Sequence, residues 1–227
     1  QKGKYVISLQ GSGVDGGKRA ISTNGVPTIQ SPITGYRTLC YDEQVQGWTS
    51  FFTYKPTFGF SLKNEFYTFN NVDLYKHYDT SVPRGNFYGA DFSDPSYVKL
   101  VFNNQPGITK TFTTINYEGT TGWEMEELKA TESTAPTTSV LEAYKIPKEG
   151  TLDGSNTIGF VKKEDKYFAE IRNKANDFFQ DKSHFNTSGV KGYYVDVTMQ
   201  YWSPTASAGG AKQELFSVGS EIIQSSK

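Results

Sequence analysis

The chain has 227 residues, of which 36% are hydrophobic and 15% aromatic, and its 23 basic and 24 acidic side chains leave a formal charge of −1. That length accommodates one large all-β domain or two smaller ones with real cores. The aromatic content excludes a disordered chain, which lacks the apolar groups to offset ordering entropy, and the lack of a long basic run argues against a polyphosphate-binding surface. The single cysteine, Cys40, has no partner for an internal disulfide and reads as a small buried hydrophobe. No stretch reaches membrane-spanning length and no signal peptide opens the sequence. The sequence starts at Gln1 rather than methionine, which implies processing or a piece of something longer.

Strand signals dominate. Residues 5–9 alternate and run into a Gly-rich loop at 11–17, followed by a polar, Gly/Pro-punctuated stretch at 24–35. Residues 48–54 read as a strand that ends at Pro56. Three short aromatic strands follow at 58–62, 66–69 and 74–78, separated by Lys63-Asn64 and Asn70-Asn71 turns, which is the pattern of a β-meander. Alternation puts Phe58, Phe60 and Leu62 on one face. Arg84 to Gly89 brackets a polar–aromatic core with glycines and reads as a tight connection. Further strands are predicted at 97–102, 110–117 and 123–128. In the second, Phe112, Thr114 and Asn116 alternate with Thr113, Ile115 and Tyr117. Residues 131–139 read as a loop or linker. Strands are then expected at 158–161, 167–172 and 192–202, the last being the longest candidate. One short helix is expected at 174–182, and a final strand-like run after 213.

Few constellations suggest chemistry. Gly11, Gly13 and Gly16 match the dinucleotide fingerprint, but no amphipathic helix follows to receive a pyrophosphate, and Lys18 has the wrong spacing for a P-loop. A flexible loop is the better reading. His77 and His184 lack a nucleophile-elbow context and read as structural or surface groups. Glu124, Glu126 and Glu127 beside Trp123 could serve glycoside hydrolysis, yet Glu124 and Glu126 fall on one strand face, which reads as a wet one. Asp91, Asp94 and Asp153 lack calcium-loop spacing. Asn186-Thr-Ser188 fits a glycosylation triplet that is common by chance. No catalytic, cofactor-binding or metal-ligating residue is assigned, and no cofactor is implied.

The runs 47–56, 61–69, 74–78 and 86–89, continued at 101–106, 110–119, 162–172 and 214–218, resemble a family of tailed-bacteriophage virion structural proteins. The pattern is similar to large structural proteins of cyanophages and to tail muzzle or stabilisation proteins of crAss-like phages. It covers mainly 47–119, and neither the first 46 residues nor the linker after Ala130 contributes. The resemblance implies a virion location in tail, neck or baseplate, and repeated copies around a symmetry axis. It transfers no active-site residue.

The expected fold is mainly β, with antiparallel meanders forming a sandwich or propeller-like sheets and little helix. The expected organisation is an extended arm with one strand (1–46), a β-rich core with the aromatic meander (47–130), a linker (131–157) and a second β-rich part (158–227). The expected function is a non-enzymatic structural part of a phage virion, partnered by copies of itself and other virion proteins, with no nucleic acid or membrane. Trp48, Phe51, Tyr54, Phe60, Phe66, Tyr75, Phe87, Tyr88 and Trp202 are the core or assembly candidates, with 48–78 and 193–202 expected to form the rigid core. The alternative is a carbohydrate- or receptor-binding module for a host glycan, with Trp48, Trp123 and Trp202 as stacking platforms.

Overall fold

The computed structural model describes residues 4–9, 20–23, 26–29, 37–82, 85–89, 95–131, 140–174, 188–202 and 212–224. Among them every regular element is a β-strand, and every strand pairing is antiparallel. The Gly11–Gly13–Gly16 motif, Lys18, Asp91, Asp94, His184, most of the 131–139 loop and the expected helix beyond Lys174 lie outside the described residues. The chain divides into two compact units, Gln1–Asp91 and Phe92–Lys227.

The first unit holds β1 (Lys4–Leu9), β2 (Ala20–Thr23), β3 (Val26–Ile29), β4 (Arg37–Asp42), β5 (Gly47–Phe52), β6 (Phe58–Leu62), β7 (Glu65–Asn70) and β8 (Asp73–Lys76). Strands β1, β4 and β5 form one sheet in that order, β2 and β3 a hairpin, and β6, β7 and β8 the meander. Lys63 and Asn64 both have positive φ. That left-handed pair closes a two-residue hairpin whose twist matches its strands. The meander's second turn falls one residue later than expected, between Asn70 and Asp73.

The second unit holds β9 (Ser96–Phe102), β10 (Lys110–Gly119), β11 (Trp123–Thr131), β12 (Val140–Glu142), β13 (Leu152–Asp153), β14 (Asn156–Thr157), β15 (Val161–Lys163), β16 (Lys166–Glu170), β17 (Val190–Gly192), β18 (Val195–Tyr201) and β19 (Leu215–Gln224). One sheet runs β15-β16-β10, with β17 continuing along the same side of β10 and β19 on its other side. The other sheet runs β12-β11-β18-β9. Between them lies a core drawn from both, with Phe112, Ile115 and Tyr117 of β10 facing Met125 and Leu128 of β11 and Val197 of β18. Each such side chain contributes about 1.5–3 kcal/mol when fully buried.

Two bulges organise that core. In β10 the partners step from Phe112↔Ile222 to Thr114↔Glu221, so Thr113 is the extra residue. In β11 they step from Met125↔Met199 to Glu127↔Thr198, so Glu126 is extra. A bulge inserts one residue and restarts the alternation. Phe112 therefore shares the inner face with Ile115 and Tyr117, and Met125 with Leu128, each pair at a spacing of three. The expectation that Phe112 would oppose Ile115 and Tyr117 is corrected by this insertion.

Two other strands differ from expectation. Residues 192–202 are not one strand. The β17 segment pairs with β10, and after Tyr193 and Tyr194 the β18 segment pairs with β11 and β9, so the chain crosses between sheets here. The longest strands are β10 and β19. Close approach explains the glycine at the crossing, because a Cβ on Gly192 would sit 2.8 Å from Ala130 Cβ. At 158–161 only Val161 is in a strand. Phe160 is instead a buried core residue whose N–H donates to the Pro147 carbonyl at 3.1 Å.

Candidate functional site

The first unit is two sheets with a thin aromatic filling. The β1-β4-β5 sheet turns Thr38, Cys40 and Phe52 inward, and the meander turns Phe66, Thr68 and Tyr75 inward. Tyr54 lies between them, its ring 5.2 Å from Phe52, 4.8 Å from His77 and 4.7 Å from Phe87. At the centre is a polar node in which Thr68 and His77 are buried and Tyr88 is half-buried. Thr68 Oγ1 is 2.7 Å from His77 Nε2 and 2.8 Å from the Tyr88 hydroxyl. Tyr88 and the glycines Gly85 and Gly89 all have positive φ, so this tight connection folds back to place Phe87 and Tyr88 on the node. Burial holds the His77 imidazole below its ordinary pKa. Burial, then the neighbouring Tyr78, Tyr88 and Cys40, pushes the Tyr54 hydroxyl well above the usual tyrosine range.

Of the residues singled out in the sequence, Tyr54, Phe66, Tyr75, Phe87 and Tyr88 come together in this filling. Trp48, Phe51 and Phe60 do not. The face that carries Phe58, Phe60 and Leu62 points away from it, so the most apolar face of the meander is the outer one. Phe58 is 62% exposed. Phe60 stacks on Tyr67 at 5.5 Å, while Phe69 and Leu74 extend the same face across the other two strands.

The outer face of the other sheet is apolar too. A bulge at Thr49 steps the pairing from Cys40↔Ser50 to Tyr41↔Trp48, which brings Trp48 and Phe51 to one side. Two rows then cross three strands: Tyr5, Tyr41 and Trp48, and beside it Ile7, Leu39 and Phe51. Trp48 is 51% exposed and Phe51 73%. They are not core residues of this chain, contrary to a rigid core over 48–78. The Tyr5, Ile7, Leu39 and Tyr41 members were not singled out in the sequence; the alternation of Tyr5 and Ile7 was the one available signal. Large exposed apolar patches mark interaction surfaces, and here they back a single two-sheet unit on both sides.

In the second unit the acidic cluster is accounted for. Glu124 and Glu126 both point to the outer face and converge on Lys145 at 3.0 and 2.7 Å, and the Gln200 amide donates to both at 3.3 and 2.6 Å. Burial pulls the Lys145 ammonium down, but the two carboxylates outweigh it and hold its pKa above the ordinary value. Glu127 pairs with Lys129. Trp123 is buried, its indole N–H donating to the Glu214 carbonyl at 3.2 Å, which removes it as a stacking platform. Trp202 is 44% exposed at the end of β18 and is likewise no part of the core. On edge strand β19 the bulged residue Phe216 stands 71% exposed. Among the described residues no group of three His, Cys, Asp or Glu is arranged to hold a metal ion.

Residues 82–174 match the family model of the crassvirus muzzle protein C-terminal domain. Over that range the chain is similar to a structural protein of crAss-like phages. The muzzle-like range is less than half of the chain and runs from the end of the first unit through β9 to β16. It overlaps the resemblance seen in the sequence over 82–119 and again at 162–172. The meander falls outside it, and the range 131–174, thought to add nothing or only islands, falls inside. Within 131–157, β12 pairs with β11, and β13 pairs with β14. No curated protein matches the chain.

Proposed function

We propose that this chain is a non-enzymatic structural subunit of a crAss-like phage virion, at the tail, neck or baseplate, assembling with copies of itself around a symmetry axis. The observation that carries the reading is the muzzle-domain match over 82–174. The first unit supports how assembly occurs. Its two apolar faces, one with Trp48 and Phe51 and the other with Phe58 and Leu62, look outward from opposite sides of the same filling. A face of one kind meeting the other kind on the next copy is a heterologous contact, which closes into a ring when the rotation between copies allows. Aromatic side chains suit such surfaces because they bring large contact area with little rotamer entropy to lose.

Light scattering on the purified full chain, together with particle imaging, tests the proposal. A symmetric ring or a higher-order particle is expected. A clean monomer at micromolar and higher concentrations, on the order of usual subunit affinities, would overturn self-assembly.

A further inference from the structure

A groove of 680 Å³ opens in the first unit between β1, along residues 4–7, and the meander, along residues 59–66 and 76–80. Its size falls in the range of small-molecule sites. We propose that it binds a neutral oligosaccharide, a role independent of the assembly reading. Three observations converge on that class of ligand.

The first is Tyr78. It lies just beyond β8 with φ at +60° and is 57% exposed. The left-handed region is unfavourable for an aromatic residue, and here the conformation does not bury the ring; it leaves it in the groove wall. Tyr5 on β1 also borders the groove, but its ring belongs to the outer row with Tyr41 and Trp48 and its hydroxyl donates to Glu43 at 2.8 Å. The accessible Tyr78 ring provides a flat apolar platform for the C–H face of a sugar, with a hydroxyl tip at its edge.

The second is polar order. Glu65 receives Lys76 at 2.6 Å on one oxygen and the Tyr67 hydroxyl on the other. Asp79 receives the Ser81 N–H at 2.9 Å and hydroxyl at 2.6 Å. Both carboxylates are fixed before any ligand arrives, yet each oxygen keeps acceptor capacity for a sugar hydroxyl.

The third is charge balance. Among the lining groups Lys76 faces Glu65 at 2.6 Å and Asp79 at 3.9 Å, and Lys4 is already paired with Asp42 at 3.4 Å, which leaves the lining with no net formal charge and no free cation. A groove with no net formal charge has no preference for an anion, so a polyhydroxylated neutral ligand fits better than a phosphate or an acidic glycan.

Calorimetry of the full chain with maltohexaose, cellohexaose, laminarihexaose, mannohexaose and chitohexaose tests the proposal, with a heparin hexasaccharide and a neutral strand-forming peptide as contrasts. Saturable binding of at least one neutral hexasaccharide is expected. In Tyr78→Gly the glycine accommodates the positive φ without strain, so the fold persists while the platform is lost. That variant is expected to bind about tenfold more weakly, at an unchanged thermal midpoint. Binding of the heparin fragment or the peptide alone, no saturable binding of any neutral hexasaccharide, or full affinity in Tyr78→Gly would overturn it. A peptide-only result would point instead to strand addition along β1.

Discussion

Deleting Glu126 is expected to leave the core of the second unit in place, whereas deleting its neighbour Glu124 disrupts it. The rungs on either side of the bulge are Met125↔Met199 and Glu127↔Thr198, so Glu126 occupies no rung. Without it, Met125, Glu127 and Leu128 alternate regularly, and every buried side chain of β11 keeps its face. What disappears is the Lys145 ion pair at 2.7 Å and the Gln200 hydrogen bond at 2.6 Å, while Lys145 retains Glu124 at 3.0 Å. A half-exposed ion pair contributes about 0–1 kcal/mol and the hydrogen bond about 1 kcal/mol, giving a loss of about 1–2 kcal/mol. Deleting Glu124 joins Trp123 directly to Met125, and neighbours in a strand cannot share a face. Trp123 leaves the core and its indole bond to Glu214 breaks, a loss of about 3–5 kcal/mol by analogy with large-to-small core substitution. Urea unfolding followed by near-UV circular dichroism, with acrylamide quenching of the tryptophans, reads both effects. Equal costs, or a greater cost for the Glu126 deletion, would refute the assignment of Glu126 as the bulged residue.

Leu128→Ala removes a fully buried side chain and is expected to cost about 2–5 kcal/mol, seen as a lower urea midpoint. His77 is neutral and buried, with its pKa lowered by burial. Its unfolded form takes up a proton more readily, so stability is present above the unfolded value of about 6.5 and is lost as pH falls toward the folded value; His77→Gln should flatten that dependence in unfolding curves of the first unit. Paired Trp48→Ser and Phe51→Ser substitutions act on exposed positions, so light scattering should show smaller particles while the unfolding free energy of the dispersed chain stays within about 0.5 kcal/mol of the parent.

The β class was legible because period-2 alternation and short polar turns recur along the chain, and 58–62 emerged as β6 with its expected bounds. Which face was buried was not. The meander's outer face is richer in aromatics than its inner one, where Gly59 and Thr68 accompany Phe66 and Tyr75 and the following His77 packs on Tyr54 and Phe87. A rule that sends apolar side chains inward fails when a neighbouring copy, rather than the chain itself, is the surface to be packed against. Bulges hid the rest. Trp48 and Phe51, Phe112 and Ile115, Met125 and Leu128 each share a face at a spacing of three, which reads as conflicting alternation until the extra residue is known. The groove was illegible because β1 and the residues around Tyr78 are far apart in sequence and neither carries a motif.

The two sheets of the second unit are completed late in the chain. Strand β9 takes its described partner from β18, with Ser96 opposite Tyr201, and β10 is flanked by β19, with Lys110 opposite Gln224. A nascent chain therefore carries two half-built sheets in which β9 and β10 wait about a hundred residues of synthesis for β18 and β19, and such non-local closure is slow. During that interval the exposed edges of neighbouring chains on one message can pair with each other. Yield of native protein should then depend on translation rate and on chaperones that hold open edges apart, more than on the stability of the finished fold.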